Sequence, residues 1–162
     1  MSDFEKRLEK ALERGQRTGR AKEQQAAAEA MSEEEFKRLH TQYRLELSEH
    51  IEGCLSRLPN HIPGFQYRSV VSERGWGAQV QRDDVGRGSG GGRDNFFSRL
   101  VMLIRPFGQY HVLDLTAKGT VRNQEVFNRN HYQKLDEADA DSFRELIDLW
   151  VLEYAELYAA KS

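Results

Sequence analysis

Cysteine is all but missing from this chain of 162 residues: Cys54 stands alone, so no disulfide can close within the chain, and a reducing compartment is the expected setting. Long hydrophobic runs are missing too. No stretch approaches the roughly 18 apolar residues of a membrane span, and the first residues lack the apolar core of a signal peptide. A soluble cytoplasmic protein with no membrane partner is the expectation. Nor is there a cofactor or catalytic signature. Gly86, Gly88 and Gly91 match a dinucleotide fingerprint formally, but a strand and not a helix follows them. No Lys-Ser/Thr pair makes the loop a phosphate-binding one.

What is present is a length sufficient for one domain with a core, built from 38% hydrophobic and 31% charged residues. The net charge of −2 hides an uneven spread: residues 59–131 hold ten Arg/Lys against six Asp/Glu, and residues 132–162 hold three against eight. A basic middle lying against an acidic end is the simplest reading.

The centre of the chain is Phe96–Ala117. Leu100 to Ile104 is apolar without a break, as in a strand covered on both faces. Pro106-Phe107-Gly108-Gln109 reads as the turn, after which Leu113, Leu115 and Ala117 alternate with Val112, Asp114 and Thr116. Around this hairpin the chain falls into order. Residues 1–30 carry the short stripe Phe4, Leu8, Leu12 and then little to bury, which predicts a mobile, partly helical tail. Ser32 and Glu35 form a capping box that opens the domain at residue 31. The helix behind it bears Phe36, Leu39, Tyr43, Leu47, Ile51, Cys54, Leu55 and Leu58 on one side and ends at Pro59. With Arg74-Gly75 as a two-residue turn, Val71 faces Ala78 and Tyr67 faces Arg82. Val85–Asp94 reads as a loop, Lys118-Gly119 as a further turn, and Thr120–Phe127 as a polar edge strand. The last helix, about 138–160, is apolar over more than half its circumference. The expected fold is therefore α+β: a five-stranded antiparallel sheet flanked by a long helix from the N-terminal half and a C-terminal helix, in one domain over 31–162.

Candidate chemistry is sparse. His50 and Cys54, four residues apart on one helix face, could present two metal ligands, with His61 the one addition across Pro59. Packing explains them far better, so no metal, cofactor or catalytic residue is assigned. If Arg105 pairs with Tyr110, then Arg99, Asp114 and Thr116 form a polar cluster on one face of the central strands, a ligand site or a structural ion pair. Trp150, Tyr154 and Tyr158 on the broad apolar helix are candidate anchors for a second copy of the chain. Arg87 and Arg93 in the Arg/Gly loop are candidate phosphate contacts. The leading expectation is a non-catalytic protein-binding module, an adaptor or chaperone-like homodimer with an unidentified protein partner. Weak nucleic-acid binding through the loop and basic sheet region is the first alternative, and a small-ligand protein or enzyme near Arg99 and Asp114 the second.

Overall fold

The computed structural model describes residues 3–87 and 93–161. Helix α1 spans Asp3–Leu55, and a short helix α2 spans Leu58–His61 with Pro59 in its first turn. Five strands follow: β1 (Gln66–Ser72), β2 (Gly75–Arg87), β3 (Arg93–Ile104), β4 (Val112–Val121) and β5 (Gln124–Lys134). A 3-10 turn at Leu135–Glu137 leads into helix α3, Ala140–Lys161. The strands form one antiparallel sheet in sequence order. This is the α+β architecture that the periodicities predict.

The backbone is helical straight through Ser32, so the capping-box residues do not begin a helix. The reason is local: Gln24 to Met31 contains only strong helix formers and nothing that breaks the ladder. The chain divides into two compact units, 1–38 and 39–162. In the first, the side chains described from Asp3 to Ala28 are all exposed.

In the second unit the period-3.6 stripes become the core. Leu47, Ile51 and Leu55 of α1 are fully buried, as are Phe143, Ile147 and Tyr154 of α3. They meet Ala78, Val80, Leu100, Met102, Ile104, Leu113 and Leu115, the alternate residues on one face of the sheet. The other face carries Gln79, Arg99, Val101, Leu103, Thr116, Lys118 and Asn128, which share rungs across β2 to β5. Among the described residues of this unit, no helix covers that side.

Three turns differ from the sequence reading, and each shifts a register. Ser72 pairs with Gly75, so the first turn is Glu73-Arg74, with the Arg74 N–H donating to Ser72 Oγ at 3.2 Å. Val71 then faces Trp76 and Tyr67 faces Val80. Gly75 serves close approach: a Cβ there would strike the carbonyl of Ile104 on β3. Between β3 and β4 the connection runs from Arg105 to His111, longer than the expected four-residue turn, and Ile104 pairs with Leu115. The last turn is Arg122-Asn123, both residues at positive φ (47° and 70°), not Lys118-Gly119. Gly119 lies inside β4 because a Cβ would come within 3.0 Å of the Phe127 and Tyr154 rings. Strands β2 and β3 also extend through most of the expected loop, leaving 88–92 outside the described residues. Residues 128–132, beyond the end of the expected edge strand, also belong to β5.

Candidate functional site

The part of helix α1 within the second unit runs beside helix α3 on the covered face of the sheet, joined by polar contacts that follow one another along both. Tyr43 donates to the Ala138 carbonyl at 3.2 Å, Arg144 reaches Glu46 at 3.3 Å, and His50 meets Asp148 at 2.8 Å. The last of these contacts is the centre of a cluster. His50 and Cys54 stand one turn apart on α1, so their side chains share a face. Asp148 on α3 points between them. His50 Nε2 and Cys54 Sγ both hydrogen-bond the same oxygen, Asp148 Oδ1, at 2.8 and 3.2 Å, with the nitrogen and the thiol as donors. The donor atoms of all three residues lie within 4.8 Å of one another.

This group sits at the edge of the core. The His50 side chain is 29% exposed and that of Asp148 53%, and Cys54 is half-buried. Burial, the hydrogen bond to Asp148 and the charge of that carboxylate push the Cys54 thiol up to about 11, against a smaller pull downward from Arg57. At neutral pH Cys54 is therefore a thiol, and it is not activated as a nucleophile. The arrangement suits a cation: one nitrogen, one sulfur and one carboxylate oxygen converge, and a bound ion would offset the Asp148 charge and favour the thiolate.

His61, the third ligand suggested by sequence, is exposed at the end of α2 and is not in this group. Asp148 takes that place. It escaped sequence reasoning because 94 residues separate it from Cys54. The one available sign was its position as a charge interrupting an apolar helix.

The other candidate residues are placed as follows. Arg99 and Asp114 share the open face but are not neighbours. Arg99 pairs with Thr120, whereas the Asp114 carbonyl accepts from the Arg105 N–H, six residues further along the chain, just past the end of β3, and about 20 Å away. The Asp114 carboxylate accepts instead from Asn130 Nδ2 at 3.3 Å. The longer β3–β4 connection causes this shift. Thr116 does remain near Arg99: both line a shallow groove of about 360 Å³ on the open face, together with Arg74, Arg105 and Lys118.

Trp150, Tyr154 and Tyr158, the expected dimer anchors, are buried in the chain's own core. Tyr158 packs edge-on to Phe65 at 4.9 Å, and Tyr154 does so with Phe127 at 6.3 Å. The large apolar residues that α3 exposes are Leu149 and Leu152. Arg87 and Arg93 face each other at the far end of the β2–β3 ladder, and their side chains lie outside what is described. Sequence reading also missed His40. Its Nε2–H donates to the Arg105 carbonyl at 3.0 Å, and its ring meets Phe107 edge-on, pinning the β3–β4 connection to α1. Its spacing with Arg44, Leu47 and Ile51 along the buried stripe was the available sign.

No helix among the described residues is long and apolar enough to cross a membrane. Comparison with known proteins finds no matching family model, no matching curated sequence and no matching solved structure.

Proposed function

We propose that this chain is a metal-binding protein that takes one divalent transition-metal ion between α1 and α3, through His50 Nε2, Cys54 Sγ and an Asp148 carboxylate oxygen. The observation that carries the reading is the convergence of three different donor atoms, from two helices, within 4.8 Å. A mixed N, S, O set favours a borderline-soft ion such as Zn²⁺ over Mg²⁺ or Ca²⁺, which prefer oxygen alone. Three protein donors leave one position of a tetrahedral ion for water or an external ligand. Binding requires the Cys54 proton to leave and the His50 proton to move to Nδ1. Because the ligands come from two helices, the ion also fastens α1 to α3. At a free concentration of 100 times Kd, it would add about 2.7 kcal/mol to stability. A reducing, cytoplasmic setting would keep the single thiol available.

Calorimetric titration of the metal-free chain with Zn²⁺ tests this. One ion per chain is expected, with affinity at least about tenfold weaker in Cys54→Ser and in Asp148→Asn. Equal affinity in all three proteins would refute the site.

A second reading, a protein-binding module that pairs with its own copy, draws on Leu149 and Leu152, which are 52% and 65% exposed on the outer side of α3. Light scattering at high micromolar concentration decides it: a dimer lost in Leu152→Glu supports it, and a monomer removes it.

A further inference from the structure

The face of the sheet turned away from the helices has a charge pattern that the metal site does not use. Its groove is bounded by Arg74, Arg99, Arg105 and Lys118, and its floor is Val101 and Leu103. No carboxylate lines it. Among the described residues none of the four cations takes part in an ion pair, whereas Arg82, Arg129 and Arg144 each hold a carboxylate. Asp83, opposite Phe97, and Asp114, opposite Tyr132 and held by Asn130, stand on the same face at its ends, so the four cations around the apolar floor concentrate positive charge between them, and the arrangement favours an anion that lies over the floor.

Spacing narrows the kind of anion. Arg99 on β3 and Arg105, which follows the last residue of β3 and still bonds the Asp114 carbonyl, are six residues apart in extended chain, which separates them by about 20 Å. A single phosphate or carboxylate cannot reach both, so the ligand is extended and carries charge at intervals. Lys118 sits between them, on the rung of Val101, and Arg74 closes the end beside Arg105. Two residues beyond Arg99 on the same face, Phe97 is 38% exposed, and at the opposite end Tyr132 is 62% exposed. Rings at both ends and an apolar floor between the charges are what planar, sequence-tolerant stacking requires. Double-stranded nucleic acid does not fit a groove of this volume, and an acidic peptide has no use for the exposed rings.

We infer that the open face of the sheet binds single-stranded nucleic acid, with Arg74, Arg99, Arg105 and Lys118 contacting successive phosphates and Phe97 and Tyr132 stacking on bases. The site is independent of the Arg/Gly loop and of the metal ligands.

The test is fluorescence anisotropy of a labelled oligothymidylate with the full chain, over a range of salt. Neutralising four phosphates on a single strand gives a slope of about −2.8 in log K against log salt, so affinity falls about 50-fold between 50 and 200 mM. Arg99→Gln and Lys118→Gln should each bring the slope closer to zero by about 0.7. Phe97→Ala should weaken binding about fivefold or more with the slope unchanged. Arg144→Gln, on α3, should change nothing. These side chains are at the surface, and circular dichroism checks that each variant is folded. The inference is overturned by absence of binding at 50 mM salt, by slopes that Arg99→Gln and Lys118→Gln leave alone, or by a polyglutamate that competes as well as the oligonucleotide. That last result would assign the face to an acidic polypeptide.

Discussion

Removing one oxygen atom, in Tyr154→Phe, tests how the core is joined to the sheet. Tyr154 is fully buried, and its hydroxyl donates to the Thr120 carbonyl at 2.8 Å. The β4–β5 ladder shifts register at Gly119/Thr120, and the phenol reaches the strand at that irregular step. Phenylalanine keeps the edge-on contacts with Phe65 and Phe127 and loses only this bond. The direct loss is about 1 kcal/mol, and leaving the buried carbonyl short of a partner raises it to about 1.5–2 kcal/mol. For a chain of this size that lowers Tm by about 3–8 °C. Urea unfolding followed by tryptophan fluorescence reads the change, since Trp150 is buried one turn away on the same helix. The slope with urea should not change. Tyr154→Leu should cost more, because the ring contacts go too. A Tyr154→Phe protein as stable as the wild type to within about 0.3 kcal/mol would show that the carbonyl finds another donor and that the hydroxyl is incidental.

Other perturbations have equally definite outcomes. Gly77→Ala places a Cβ against the backbone of Met102 and Leu103, which cannot yield, and should destabilise by about 2–3 kcal/mol, whereas Gly53→Ala, with open space around it, should stabilise by about 0.5–1 kcal/mol in a urea titration. Burial lowers the pKa of His40 against the opposing hydrogen bond to Arg105. The folded state thus binds that proton less readily than the unfolded chain, and stability should fall as pH drops below about 6.5, less steeply in His40→Gln. Deleting residues 1–30 should leave the Tm of unit 39–162 within about 2 °C, because Phe4, Leu8 and Leu12 are exposed; a larger fall would show that the segment is docked.

The sequence was a good guide to faces and a poor guide to turns. The strand at Leu100–Ile104 and the stripe through Leu47, Ile51 and Leu55 are where the apolar run and the period-3.6 pattern place them, because burial leaves a strong signal in composition, but Val101 and Leu103 line an open groove and not a second covered face. The glycines misled for a physical reason. Gly75 and Gly119 look like turn residues, but they are required where a neighbouring backbone or ring comes close, and the real turns, Glu73-Arg74 and Arg122-Asn123, contain none. At the first two turns the register errors were even, two and four residues, so those faces survived while the opposite partners changed. That is enough to separate Arg99 from Asp114. The metal ligands show the other limit: His50 and Cys54 are visible as a helical pair, but only the packing of α3 on α1 reveals Asp148.

If His50, Cys54 and Asp148 hold one ion, a crystal grown with Zn²⁺ scatters anomalously at that place. One strong anomalous peak is expected between α1 and α3, about 2.3 Å from Cys54 Sγ and about 2.0–2.2 Å from His50 Nε2 and an Asp148 oxygen. A map with no peak there, with His50 and Cys54 still hydrogen-bonded to Asp148 Oδ1, would contradict it.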